Sequence, residues 1–282
     1  MSANAAALPG EAAWPRFLAY ALLATFALFF VMPVYVMLAT SLKSLEEAQS
    51  STMWAWPAAL SLDGYRAAFG SLSRGLINSL LLTIPATLLS SLAGSINGYC
   101  LSKWKFRGSN TLFTLLLFGM FIPYQSILIP LVKFMQTVGL YNSLFGLILV
   151  HVVYGLPITT LIFRNYYATI PDELVEAGRI DGAGLLRTYW YIFLPISMPS
   201  FIVVAIWQFT NIWNEFLFAV TLTSSPETQP VTVALQNLGG SMISQWNTQM
   251  AGALIASVPT LLIYIVLGKY FVGGMLAGSV KG

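Results

Sequence analysis

Apolar residues gather along this chain into six long runs, at 17–40, 77–101, 111–132, 143–163, 196–222 and 250–268. Polar residues are concentrated between them. Each run is near or above the ~20 residues that a helix needs to cross the hydrocarbon core of a bilayer. Of 13 basic and 10 acidic residues only Glu215 falls inside a run, so the exclusion of charge is nearly complete. The pattern predicts an all-α membrane protein with six transmembrane helices. Every run also contains proline: Pro33, Pro85, Pro123 with Pro130, Pro157, Pro199 and Pro259. A proline within a helix removes a backbone hydrogen bond and crowds the preceding turn, so bent spans are expected throughout.

Composition sharpens this reading. Hydrophobic residues make up 57% of the 282 residues and charged residues 8%, whereas a soluble domain usually carries about 25% charge; mean hydropathy is +0.76. The net charge of +3 is not gathered into a basic stripe, which argues against nucleic acid as a partner. A single cysteine, Cys100, and a single histidine, His151, exclude a disulfide framework and leave little for a metal site or for catalysis. The expectation is no catalytic residue and no metal. No G-x-x-x-x-G-K-[ST] phosphate loop occurs, since Ile263 and Tyr270 spoil the match around Gly268-Lys269. The apolar run after Ala-rich residues 1–16 is too long for a signal-peptide core, so 17–40 reads as a retained helix.

Basic residues set the expected orientation. With the N-terminus inside, Arg16, Lys103, Lys105, Arg107, Arg164, Arg179, Arg187, Lys269 and Lys281 lie inside, against Lys43, Arg66, Arg74 and Lys133 outside. That asymmetry follows the positive-inside rule and places both termini in the cytoplasm. The expected organisation is a cytoplasmic tail at 1–16, a first span at 17–40, an outer loop at 41–76, a core of spans two to six at 77–272, and a cytoplasmic tail at 273–282. After Gly273 that tail is expected to have no fixed structure of its own. Gly94 and Gly98, four residues apart, predict close packing of span two against another helix.

The inner connection 164–195 departs from the membrane pattern. It holds Arg164, Asp172, Glu173, Glu176, Arg179, Asp181 and Arg187, close to the charge density of a soluble surface. Thr169 and Asp172 have capping-box spacing, Pro171 suits a first helical turn, and Asp172 and Glu173 favour the positive end of a helix dipole. A helix is predicted to run to about Asp181, where Gly182 can close it in a left-handed conformation. A second helix is predicted from near Gly184 to a break at Pro195. Leu174, Ala177, Gly178 and Asp181 fall at i, i+3, i+4 and i+7. The small side chains of Ala177 and Gly178 would let another protein approach the backbone closely, with Glu176 and Arg179 at the rim. Spacing alone fits a solvated surface helix equally well.

Glu176-Ala177-Gly178, Asp181-Gly182-Ala183, Ile192 and Leu194-Pro195 resemble the EAA loop of bacterial ABC-importer permeases, with Gly178 in place of the second alanine. Asn78-Ser79, the KWKFRG stretch 103–108, Trp213-Asn214-Glu215-Phe216 and the ending 277–282 resemble the six-span subunit of maltose-type sugar importers. The resemblance implies a type I ABC importer permease fold in a bacterial inner membrane. It implies a second permease subunit forming a heterodimer, two ATPase subunits that hold the ATP and Mg, a periplasmic or lipid-anchored sugar-binding protein, and surrounding membrane lipid. By the same resemblance Glu173, Glu176, Ala177, Gly178, Asp181, Gly182 and Ala183 couple to the ATPase, loop 223–249 with Gln236, Asn237 and Asn247 reaches the binding protein, and Lys281 and Gly282 enter the ATPase interface. A permease for a non-sugar solute stays open as an alternative. So does an ion-coupled secondary transporter, although the spans show no buried charges at mid-membrane.

Within the membrane runs, Trp207, Gln208, Asn211, Asn214 and Glu215 share one span as candidate substrate-pathway residues. Amides with aromatic faces can hold a sugar, and they also cement helices. Counting ~1.5 Å per residue from Ile196 puts Glu215 near the outer end of its span, where an acid is less costly than at the centre. His151, with no acid near it in sequence, is expected to be packed and neutral, and Cys100 inert.

Overall fold

The first apolar run forms α1 (Ala13–Ser41) and the second lies within α3 (Asp63–Lys103). A short helix, α2 (Leu45–Ser50), separates them, with the Ser44 hydroxyl capping its first turn by accepting from Glu47 N. The computed structural model describes residues 13–104, 106–240 and 245–279, and among these the regular structure is entirely helical. α3 is 41 residues long, more than a bilayer requires, because it begins at Asp63 inside the expected outer loop. The loop 41–76 is therefore helical over its last fourteen residues.

The third run is not one helix. It divides into α4 (Ser109–Phe118), tight turns at Gly119–Phe121 and Tyr124–Ile127, and α5 (Leu128–Thr137), and the two halves meet at 88°. Ile122, which precedes Pro123, is extended with ψ 117°, as steric pressure from a following proline ring demands. The fourth run forms α6 (Leu144–Ala168), started by the Ser143 hydroxyl accepting from Gly146 N. After α7 (Glu173–Ile180) come α8 (Leu185–Thr188), a wide π turn at Tyr189–Phe193 and α9 (Leu194–Ile196), bent by 77° from α10 (Met198–Asn214). The fifth span is thus broken at Ser197 and again at Glu215, beyond which α11 (Leu217–Leu222) begins. The remaining helices are α12 (Val231–Leu238) and α13 (Trp246–Ser279). α13 contradicts the expectation of an unstructured tail after Gly273. No proline follows Pro259, and each glycine costs a helix only ~1 kcal/mol. Lys105, Lys281 and Gly282 lie outside the described residues.

The chain forms two compact units. The smaller comprises the described residues of 13–68 and 245–254. In it α1 exposes its apolar side chains from Phe17 to Tyr35, as a lipid-facing helix would, and buries Ala39 near its end. Tyr35 donates to Trp54 O and stacks on Trp56, and the Ser41 and Tyr65 hydroxyls share a hydrogen bond. The larger comprises 69–240 and 255–279 and holds three buried clusters. Leu82, Met135, Leu147, Val150, Ile212 and Phe218 join α3, α5, α6, α10 and α11. Tyr99, Phe163, Tyr167, Val175, Tyr189 and Phe193 form an aromatic cluster beneath α7. Phe209 and Trp213 stack and pack with Leu72 and Val231, while the Trp213 indole donates to Ala256 O.

Lipid supplies no hydrophobic drive between helices, so close approach and hydrogen bonds must hold the unit together. Gly94 and Gly98 provide the approach. A Cβ at Gly94 would overlap the Thr159 side chain, and one at Gly98 would stand 2.7 Å from Arg164 N, so α3 and α6 meet backbone to backbone as the spacing predicts. Hydroxyls supply the bonds: Ser95 pairs with Tyr167 at 2.6 Å, Tyr189 donates to Ser95 and Tyr167 donates to Ser197. That chain ties α3 and α6 to the π turn and to the break at Ser197.

Candidate functional site

α7 is short, amphipathic and held from beneath. Val175 is buried in the aromatic cluster, and Gly178 packs on Thr188 and Ile192, where an added Cβ would be 3.1 Å from Thr188 Oγ1. Gly178 therefore does not share the outward face with Ala177 and Asp181. The phase of the helix is set by Val175, and a residue three positions on must turn inward with it. Outward stand Glu173, Leu174, Glu176, Ala177, Ile180 and Asp181. Ile180, an apolar residue 86% exposed, was not singled out by spacing; its position opposite Val175 and Gly178 is the signal that identifies it.

The helix ends as expected at Gly182, with φ +73°. Ala183 N donates to Gly178 O and Gly182 N to Arg179 O, the paired bonds of a Schellman closure. Its start differs from the predicted capping box. Thr169 Oγ1 donates back to Tyr166 O, and Asp172 gives no side-chain cap. Asp172 is turned instead to Lys103 at the end of α3, at 2.6 Å, and Lys103 also donates to Ile170 O. About two helical turns on, the Arg179 guanidinium lies 4.9 Å over the Trp104 ring. Lys103 and Trp104, to which the sequence assigned no contact with this helix, are thus the joint between α7 and α3.

α10 sorts the candidate pathway residues into two sets. Trp207, Asn211 and Asn214 occupy an exposed stripe at i, i+4 and i+7, each amide donating to the carbonyl one turn back. Gln208 lies on the opposite side. It is buried, donates to Ser90 Oγ at 2.8 Å and fills the space that Gly155 leaves open, so it is separated from that stripe. Glu215 closes α10 and caps α11, its two carboxylate oxygens accepting from Phe218 N at 2.8 Å and Ala219 N at 3.2 Å. His151 is buried as expected and lies edge-on to Phe218. Glu215, distant in sequence, stands 3.9 Å from His151 Nε2. A cavity of about 340 Å³ opens beside Trp207, walled by Tyr124, Tyr154, Pro157 and Met120 at the kink of the third span.

The segment after α11 is pinned to α3. Asn78 donates to the carbonyls of Glu227 and Gln229, and Ser79 Oγ accepts from Val231 N. Asn142 Oδ1 accepts from Ser224 N, Ser225 N and Thr228 Oγ1. Gln236 and Asn237 remain exposed on α12, whereas Asn247 is buried and donates to Lys43 O. No cluster of three or more His, Cys, Asp or Glu residues stands ready for a metal ion among the described residues.

Comparison with known proteins accounts for this arrangement. The chain is 49% identical to a probable ABC transporter permease protein of Pyrococcus horikoshii over 95% of this chain and 98% of the relative. It is 37% identical to the xylose/arabinose import permease protein of Haloferax volcanii, covering 91% and 90% of the two chains. Its fold matches, with TM-score 0.83 and 21% identity, a chain in the crystal structure of a bacterial ABC transporter that imports the acidic polysaccharide alginate. The match covers 94% of this chain and 100% of that one. Residues 86–276 match the family described as binding-protein-dependent transport system inner membrane component. The chain belongs to that family of ABC-importer permeases, and its fold is theirs.

Proposed function

We propose that this chain is one of two membrane subunits of an ATP-driven carbohydrate importer working by alternating access. The observation that carries the reading is α7. An exposed helix of soluble composition is seated on a buried aromatic cluster and tied to the span bent at Ser197 and to the end of α3. A push on such a helix reaches both spans without deforming a soft loop. The ATPase pair, with ATP and Mg, would supply that push. Glu173, Glu176, Ala177, Ile180 and Asp181 would meet it, while Gly178, Gly182 and Ala183 shape the helix and its end.

A carbohydrate cargo is supported by the likeness to a xylose/arabinose import permease over nine-tenths of both chains. The Trp207–Asn211–Asn214 stripe and the aromatic cavity beside it suit a sugar, which offers hydroxyls to amides and C–H faces to rings. Both termini would lie in the cytoplasm of a cell whose inner membrane holds the complex. The second permease would complete the pathway, a secreted or lipid-anchored binding protein would deliver the sugar, and this chain would hydrolyse no ATP itself. The test is uptake and ATP hydrolysis by the reconstituted complex. ATPase stimulation by the sugar-loaded binding protein is expected, with loss of uptake in Glu176→Lys. Stimulation by non-sugar solutes alone would overturn the carbohydrate assignment, and normal uptake by Glu176→Lys would overturn the coupling role.

A further inference from the structure

Lys43 stands two residues beyond the end of α1 and is buried, with 1% of its surface exposed. Its ammonium donates to Ser51 Oγ at 2.9 Å and Thr52 O at 2.8 Å, and among the described residues no carboxylate lies within ion-pair reach. A buried ammonium is normally matched by an opposite charge, because neutral acceptors only partly replace the water it has lost. Lys43 lines a cavity of about 250 Å³ together with Thr40, Ser51, Val36, Met53 and Met250. Thr40 is 6% exposed, and its Oγ1 is buried without a hydrogen-bond partner. Trp246, 47% exposed, stands at the same cavity, and Trp54 and Trp56 are exposed on the adjoining loop.

Donors dominate the polar lining. The third ammonium hydrogen, the Ser51 hydroxyl and the Thr40 hydroxyl are left to give, and no carboxylate is among the lining residues. The other walls are aliphatic or thioether apart from the Trp246 indole. An anion with an apolar body fits this combination, and the end of a membrane span flanked by indoles is where phospholipid headgroups lie. A sugar would find few acceptors for its hydroxyls. We propose that this cavity binds the phosphodiester of a membrane phospholipid, with Lys43, Thr40 and Ser51 holding the phosphate and Val36, Met53 and Met250 packing on the start of the lipid's apolar part.

The experiment uses the assembled transporter passed through nanodiscs of phosphatidylglycerol, released gently and weighed by native mass spectrometry. A phospholipid retained on this chain is expected, with occupancy falling about tenfold or more in Lys43→Met and in Thr40→Val. Thr40→Val keeps the side-chain shape, so it decides the matter where Lys43→Met fails to assemble. Excess inorganic phosphate should leave the retained lipid in place, and a short-chain phospholipid should displace it. Equal retention in wild type and Thr40→Val would overturn the proposal. So would displacement by inorganic phosphate, which would make this a free-phosphate site. A carbodiimide cross-link from Lys43 to a carboxylate of a neighbouring subunit would also overturn it, because the counter-charge would then be protein.

Discussion

Lys103, at the last residue of α3, and Asp172, immediately before α7, form an ion pair of 2.6 Å in which the lysine is 3% exposed and the aspartate 61%. The lysine also holds Ile170 O, so one buried cation fixes both the charge and the backbone at the start of α7. Replacing Lys103 with Met removes the donor to Ile170 O and the cation beside Asp172. The local cost is about 1–2 kcal/mol, less than for a fully buried pair because Asp172 can turn to water. The expected outcome is a severalfold fall in sugar carried per ATP hydrolysed by reconstituted complex. The double exchange Lys103→Asp with Asp172→Lys should recover part of it. An unchanged ratio in Lys103→Met would reduce the pair to a surface fastening.

Gly182→Pro is expected to abolish transport while membrane insertion and subunit assembly remain normal. Gly182 holds φ at +73°, and proline is confined near −65°, so the Schellman closure that ends α7 cannot form. Gly182→Ala, strained by ~1 kcal/mol at this φ, should retain partial uptake. Uptake in vesicles, normalised to the amount of assembled complex, gives the ranking wild type above alanine above proline.

Four of the six spans could be read from apolar run length, because α1, α3, α6 and α13 carry their prolines inside continuous helix. The third and fifth were legible as apolar runs, but the sharp breaks inside them were not. Pro85 and Pro157 are absorbed by their helices, whereas Ile122 before Pro123 becomes extended and Ser197 precedes a 77° bend. A proline in a run marks where a break is permitted, and packing decides whether it is made. The EAA-like loop was legible as a helix ending at Gly182, but its inward face was not. Residue size drew Gly178 to the docking side, and the burial of Val175 puts it underneath. Contacts distant in sequence, such as Glu215 with His151 and Lys103 with Asp172, leave no local trace at all.

The close approach of α3 to α6 predicts opposite effects for two alanines on one helix. Gly94→Ala forces a Cβ into Thr159 and should destabilise the purified protein by about 1–3 kcal/mol, as overpacking does. Gly70→Ala meets nothing within 4 Å and should be neutral or stabilising by up to ~1 kcal/mol, since alanine restricts the unfolded chain. Thermal melting in a single detergent separates them. Thr159→Gly combined with Gly94→Ala should restore part of the loss, because it removes the side chain that the new methyl strikes.

The two sides of α10 separate carrying a solute from holding a span. Gln208 spends its amide on Ser90 and fills the gap over Gly155, so Gln208→Leu should lower the melting temperature through loss of an interhelical hydrogen bond worth ~0.6–2 kcal/mol. Its effect on sugar affinity should be slight, because the side chain does not reach the exposed stripe. Asn211→Ala and Asn214→Ala remove only bonds to their own helix, so stability should change by less than ~0.5 kcal/mol. Sugar transport is where their loss should appear, as about a tenfold fall at limiting substrate if each amide makes one hydrogen bond to a sugar hydroxyl. Trp207→Ala should act in the same direction by opening the aromatic wall of the adjacent cavity. Melting curves and uptake measured on the same four variants decide the matter. Wild-type uptake by both asparagine variants would move the sugar path off this face of α10.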